Sequence, residues 1–180
     1  MSVIEDVGRV HTFGRLFTPG ELDAICALGD GNRRPAQVDY APAEARRGAV
    51  GWFHDDKLAA KFRGIVDEVN QAFYQFDLHA DWKEPFQYAH YGVGDHFHWH
   101  VDMGPRTPSP RKLSFSLQLS EPQEYEGGDL QLQLGCWTCP MPRERGVLIS
   151  FPSWMPHRVT DVTKGERRSL IVWAHGPAFR

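Results

Sequence analysis

From Asp55 onward, Leu58, Phe62, Ile65, Val66, Val69, Phe73 and Phe76 recur at intervals of three and four residues, the spacing that lays one apolar stripe along an α-helix. Asp55 stands at the capping position, so the pattern predicts an amphipathic helix whose stripe packs against a sheet. A shorter helix is predicted upstream. There Thr18-Pro19-Gly20-Glu21 supplies a capping threonine, a proline at the first helical position and a glutamate at the third, and the helix should run to about Leu28. Gly29-Asp30-Gly31-Asn32 breaks that pattern. Arg33 to Gly48, with two prolines, four arginines and little periodicity, reads as a long surface loop.

Past Trp82 the texture changes to short strand-like runs: Phe86 to Tyr91, His96 to Val101, Leu113 to Leu119, Leu130 to Leu134, Val147 to Phe151 and Ser169 to Ala174. Turn signals such as Glu126-Gly127-Gly128-Asp129 and Lys164-Gly165-Glu166 separate them. Many short strands at this spacing predict a mainly β (α+β) fold, a sandwich or barrel rather than a parallel sheet. The expected organisation is one domain over 1–180, with 1–80 as helical support and lid and 81–180 as the β core.

At 180 residues the chain is long enough to bury a core without metal or disulfide support. A composition 41% hydrophobic and 24% charged excludes a disordered or fibrous chain. The net charge of -3 argues against a general nucleic-acid binder, which needs a broad basic face. No apolar run is long enough to span a membrane, and Met1 to Val10 carries Glu5, Asp6 and Arg9 where a signal peptide would be apolar, so a cytoplasmic location is expected. Cys26, Cys136 and Cys139 are an odd set and are expected to be reduced. Cys136-Trp137-Thr138-Cys139 has redox spacing, but Pro140 and Pro142 oppose the helix such a site needs, so it reads as a loop between strands.

The chemistry concentrates in His100-Val101-Asp102, with His157 beyond it and Arg167-Arg168-Ser169 ten residues further on. Two imidazoles and one carboxylate that leave other positions open suit a non-haem Fe(II) centre. If the strand is regular, His96, His98 and His100 share a face, and Asp102 joins them where the strand bends. Pro152 and Pro156 stop strand pairing before His157 and leave its imidazole at a rim. His11, His54, His79, His90 and His175 read as structural residues.

The runs Tyr91 to Asp102, Leu113 to Ser120, Tyr125 to Leu130, Phe151 to Ser153 and His157 through Gly165-Glu166-Arg167 together resemble the Fe(II)/2-oxoglutarate-dependent oxygenases of the prolyl-hydroxylase-like branch, especially the PKHD-type hydroxylases. The resemblance covers roughly residues 85 to 175. It implies a double-stranded β-helix, or jelly roll, with the N-terminal helices packed outside one sheet. It implies His100, Asp102 and His157 as metal ligands and Arg167 as the partner of the distal carboxylate of 2-oxoglutarate, with Ser169 and Tyr91 also touching that co-substrate. Fe(II), 2-oxoglutarate and O2 are the implied cofactors, with ascorbate as a stimulant, and a prolyl side chain in a peptide or protein is the first substrate class. Phe97 departs from the pattern, because many relatives carry tyrosine there. Arg46-Arg47-Gly48 followed by Trp52 is similar to an early strand of the prolyl hydroxylases, so Arg33 to Arg47 is expected to border the site as a lid.

Three alternatives stay open at this level: a hydroxylase of a free amino acid or other small molecule, a cupin-type metalloenzyme using His98, His100 and His157 without 2-oxoglutarate, and a catalytically silent jelly-roll binding module. Arg158 and Arg168 compete with Arg167 as the carboxylate anchor, and the resemblance, whose anchor stands ten residues after the second histidine, implies Arg167. The four arginines of the predicted lid hint at an acidic or carboxylate-bearing partner.

Overall fold

A computed structural model of the chain describes residues 3–36, 42–81, 84–103 and 109–177. In chain order the regular elements begin with β1 (Val3–Val7), β2 (Val10–Phe13), α1 (Pro19–Asp30), β3 (Arg33–Pro35), β4 (Arg46–Arg47), β5 (Ala49–Phe53) and α2 (Asp56–Val69). There follow β6 (Phe86–Tyr91), β7 (His96–His100), β8 (Arg111–Gln118), β9 (Tyr125–Gly127), β10 (Leu130–Leu134) and β11 (Trp137–Pro140). The last four are β12 (Leu148–Pro152), β13 (His157–Val159), β14 (Val162–Gly165) and β15 (Arg167–His175).

Both predicted helices form where their caps stand. Thr18 and Glu21 make the reciprocal box, with the Thr18 hydroxyl accepting from the Glu21 N–H and the Glu21 carboxylate accepting from the Thr18 N–H. In α2 the Asp55 carboxylate accepts the Leu58 N–H at 2.7 Å. Its stripe of Leu58, Phe62, Ile65, Val66 and Val69 is buried. The stripe does not stay helical to Phe76: a π-turn over Asn70–Tyr74 ends at Gln75, whose φ is 55°. The Asn70 side-chain amide then clamps Phe76 through both its N–H and its carbonyl.

An eight-stranded antiparallel sheet runs β1-β2-β12-β8-β15-β6-β5-β3, and a five-stranded sheet runs β11-β10-β13-β7-β4. Together they form the two-layer roll expected from the resemblance. Alternation along the central strands of the large sheet sorts two different interiors. Leu113, Phe115 and Leu117 of β8, Leu170, Val172 and Ala174 of β15, and Phe86 and Tyr88 of β6 pack with α1 and α2 in one apolar core. The intervening residues, Ser114, Ser116 and Gln118, Arg167 and Ser169, and Gln87 and Tyr91, are equally buried. They face the second sheet, so a strand that reads as apolar-in and polar-out has no solvent face.

The predicted division near residue 80 needs correction. β1, β2, β3 and β5 are built into the large sheet and β4 into the small one, so the first 80 residues supply strands as well as helices. Part of the predicted 33–48 loop is therefore strand, while residues 37–41 lie outside those described. Most of the loop predicted at Cys136 to Cys139 is also strand, from Trp137 on, with Cys136 in the turn before it. Gly135, at φ 62°, closes a tight hairpin that pairs Leu134 with Trp137 and Gln131 with Pro140. Pro140 fits because it ends the strand.

Candidate metal centre

β7 and β13 bring the two imidazoles together, since His157 lies opposite His100 in the ladder and Val159 opposite Phe97. Two steps along β13 therefore match three along β7, and the extra residue is a bulge. Because of it, Phe97 and His100 both line the interior cavity, while His98 and Trp99 are exposed. This corrects the expectation that His96, His98 and His100 share a face. His96 is held instead by the Glu44 carbonyl and the Asp161 carboxylate, and its ring stacks on His98 at 4.4 Å. A site built on His98, as in the cupin alternative, loses its third ligand.

The ligand atoms of His100, Asp102 and His157 all lie within 4.8 Å of one another. Asp102 follows β7 directly, and its N–H donates to the Ser153 carbonyl at 2.9 Å. The Ser114 hydroxyl donates to Asp102 Oδ2 at 2.6 Å, and Arg111 Nη1 donates to the Asp102 carbonyl at 3.1 Å. Each imidazole is fixed from behind: His100 Nδ1 meets the His98 carbonyl at 2.7 Å and His157 Nδ1 meets the Met155 carbonyl at 2.9 Å. A carbonyl can only accept, so both Nδ1 atoms carry the proton and both Nε2 lone pairs are free for a cation. The Nε2 atoms stand 3.9 and 3.6 Å from the Asp102 carboxylate oxygens.

Burial, reinforced by the neighbouring His157, pushes His100 down to about 3. Burial alone would raise Asp102, but His157, His100 and the Ser114 bond outweigh it and hold the carboxyl below its usual range. At neutral pH His100 thus presents a neutral nitrogen donor and Asp102 an anionic oxygen donor, with His157 Nε2 beside them, a donor set that suits a divalent cation.

Two measurable consequences follow for the metal-free and metal-loaded protein. Folded His100 stays neutral down to about pH 3, whereas the unfolded chain protonates it near 6.5. Between those values the unfolded state binds more protons, so the metal-free protein loses stability as pH falls, by up to about 1.4 kcal/mol per pH unit. Asp102 adds to the loss at lower pH, because its depressed carboxyl must be protonated as pH drops through the folded value. Urea melts of metal-free protein from pH 7 to pH 4 measure this; a flat profile contradicts a buried neutral imidazole. Separately, Ser114→Ala frees Asp102 Oδ2 to rotate, and metal affinity should fall roughly 10- to 100-fold. Competitive chelator titration of the two proteins checks it.

Arg167 lines the same cavity and is 1% exposed. Its Nη2 donates to Gln118 Oε1 at 2.9 Å and its Nη1 to Ser169 Oγ at 3.3 Å, while Nε is buried with no partner. Among the described residues no carboxylate pairs with it. The rival arginines have other partners: Arg168 pairs with Glu166, and Arg158 bonds Gln131 and lies over Trp99. Tyr91 and Ser169 both line the cavity. Arg46, Gln87, Gln118 and Ser114 were not singled out individually from the sequence, although all but Arg46 sit at inward positions of the alternating strands. Arg46 reads as one of a surface run of arginines, yet it is buried in the cavity wall, which is how the predicted lid segment borders the site.

Comparison with known proteins agrees with this geometry. Residues 86–175 match the family described as the 2OG-Fe(II) oxygenase superfamily. A PKHD-type hydroxylase of Shewanella sp. strain MR-4 is 36% identical over 160 residues, covering 85% of this chain and 69% of that protein. Other curated relatives align over shorter stretches, so that the chain spans only 28–38% of their length. Among solved structures, a Pseudomonas putida prolyl-4-hydroxylase superposes with a TM-score of 0.73 at 21% identity, covering 94% of each chain. A Trichoplax adhaerens prolyl hydroxylase in complex with a hypoxia inducible factor peptide fragment gives 0.75 at 15% identity, covering 93% of this chain and 83% of that one. No described helix is long and apolar enough to cross a membrane. The matched segment contains His100, Asp102, His157 and Arg167 together, and the chain belongs to the 2OG-Fe(II) oxygenase superfamily.

Proposed function

We propose that this protein is an Fe(II)- and 2-oxoglutarate-dependent dioxygenase that hydroxylates an unactivated C–H bond, with a prolyl residue of a peptide or protein as its first substrate class. The observation that carries the reading is the shared cavity, lined by a His-Asp-His cluster and by a buried guanidinium lacking a carboxylate partner among the described residues. Prolyl substrates are proposed because two structural neighbours are prolyl hydroxylases, one of them bound to a peptide fragment. The three free thiols fit a reducing compartment, and the cytoplasm is the proposed location.

In this reading His100, Asp102 and His157 hold Fe(II), and their donor set of two nitrogens and one carboxylate fits that ion. The iron supplies oxygen activation, coupled to conversion of 2-oxoglutarate to succinate and CO2. Arg167 takes the distal carboxylate of 2-oxoglutarate through its planar fork, with Ser169 and Tyr91 beside it. Gln118 keeps the guanidinium aimed by accepting from Nη2. Phe97, Val159, Phe151 and Ile171 line the cavity and exclude water from the reacting centre.

Anaerobic titration with Fe(II) and then 2-oxoglutarate tests the reading, which predicts a weak visible charge-transfer band. Iron-loaded protein that develops no band would support the silent binding module instead. Mass spectrometry of prolyl peptides after aerobic incubation should then show a gain of one oxygen.

A further inference from the structure

We propose that Arg46 is a second anion-reading residue, and that the substrate hydroxylated here carries a carboxylate close to the reacting carbon. The inference rests on the dioxygenase reading and narrows its substrate class.

Arg46 is 8% exposed and lines the same cavity as the His-Asp-His cluster. Its described bonds all go to neutral groups: Nη2 donates to Gln87 Oε1 at 3.2 Å and to the Tyr91 hydroxyl at 3.4 Å. Its Nε is buried and has no partner. No described carboxylate forms an ion pair with it, whereas the arginines at 33, 143, 145 and 168 each have one. Burying a permanent positive charge without a counter-ion is unfavourable unless an anion arrives to complete it.

Arg46 is distinct from the proposed co-substrate anchor. The Tyr91 ring stands beside both guanidiniums, 6.0 Å from that of Arg46 and 5.8 Å from that of Arg167. On its other side, Arg46 lies over the Phe97 ring at 4.6 Å, and Phe97 stacks on His100 at 3.4 Å. An anion on Arg46 is therefore held one ring away from a proposed metal ligand. The dianionic co-substrate does not neutralise the cavity, because Fe(II), Arg46 and Arg167 against Asp102 leave one positive charge in excess. A neutral internal prolyl segment leaves that charge unmatched. A free α-carboxylate, or an acidic side chain beside the proline, matches it, and Gln87 is placed to share the contact.

The test compares four probes on wild type and R46Q: a proline-containing peptide with neutral flanks and both ends capped, the same peptide with a free C-terminal carboxylate, the capped peptide with aspartate beside the proline, and free L-proline. Binding is measured by calorimetry on the anaerobic Fe(II)–2-oxoglutarate protein, and hydroxylation by mass spectrometry. At least one carboxylate probe should bind wild type roughly 10- to 100-fold more tightly than the neutral capped peptide and be hydroxylated. The probe that succeeds identifies the source of the carboxylate, and R46Q should erase the preference while retaining 2-oxoglutarate affinity.

Equal binding of the neutral peptide overturns the proposal, as does an undiminished preference in R46Q. So does failure of all the carboxylate probes on protein that binds 2-oxoglutarate. Loss of 2-oxoglutarate affinity in R46Q reassigns Arg46 to the co-substrate and also overturns it. Wild type that fails to bind 2-oxoglutarate refutes the dioxygenase reading instead, so the two failures are distinguishable.

Discussion

Asp102→Ala should leave a folded protein that no longer retains iron through desalting and forms no 2-oxoglutarate-dependent band. Asp102 is the single anionic member of the cluster, and its two partners are imidazoles. Removing a hydrogen bond behind a ligand already costs roughly 10- to 100-fold in affinity, so removing the anionic ligand itself should exceed 100-fold. Asp102→Asn separates charge from shape, because the amide keeps the volume and can still accept from Ser114. It should bind iron far more weakly than wild type. The comparison needs intact packing, and circular dichroism melts provide it: the backbone bond from Asp102 to Ser153 survives both substitutions. Iron retention near the wild-type level in Asp102→Ala would show that these three side chains do not act on one ion.

Arg167→Met should have the complementary phenotype: iron is kept, and 2-oxoglutarate affinity falls on the order of 100-fold or more, since charge-assisted bonds contribute about 1.5–3 kcal/mol each. The guanidinium is almost wholly enclosed, so its loss also leaves Gln118 and Ser169 short of partners and lowers stability. Arg167→Lys guards against confusing the two effects. Lysine preserves the charge but not the planar fork, and it should recover part of the affinity. Calorimetry with 2-oxoglutarate on anaerobic Fe(II) protein decides the matter. Unchanged affinity in both variants would assign the co-substrate carboxylate to another residue.

Much of the site was legible through the segments that carry the family resemblance: His100, Asp102, His157, Arg167, Ser169 and Tyr91 all lie in them, and all line one cavity. Periodicity also located both helices, whose caps and buried stripes depend on local sequence. Other features depend on partners distant in the chain. β2 is only four residues long, and β4 only two, so neither shows a detectable period; they are strands because β12 and β7 pair with them. Arg46 looked like part of a solvated charge run because its burial comes from β7 across the ladder. The orientation of His98 was misread because a bulge is set by pairing with β13 and leaves no mark in the alternation of a single strand.

That bulge carries one residue more between Phe97 and His100 than a regular ladder needs. His98 and Trp99 are exposed and not part of the cluster, so many side chains are acceptable at either place. Deleting one of them removes the bulge, and Phe97 and His100, then two apart in a regular ladder, stay on one face. Natural variation here should accordingly include loss of the bulged residue as well as point changes.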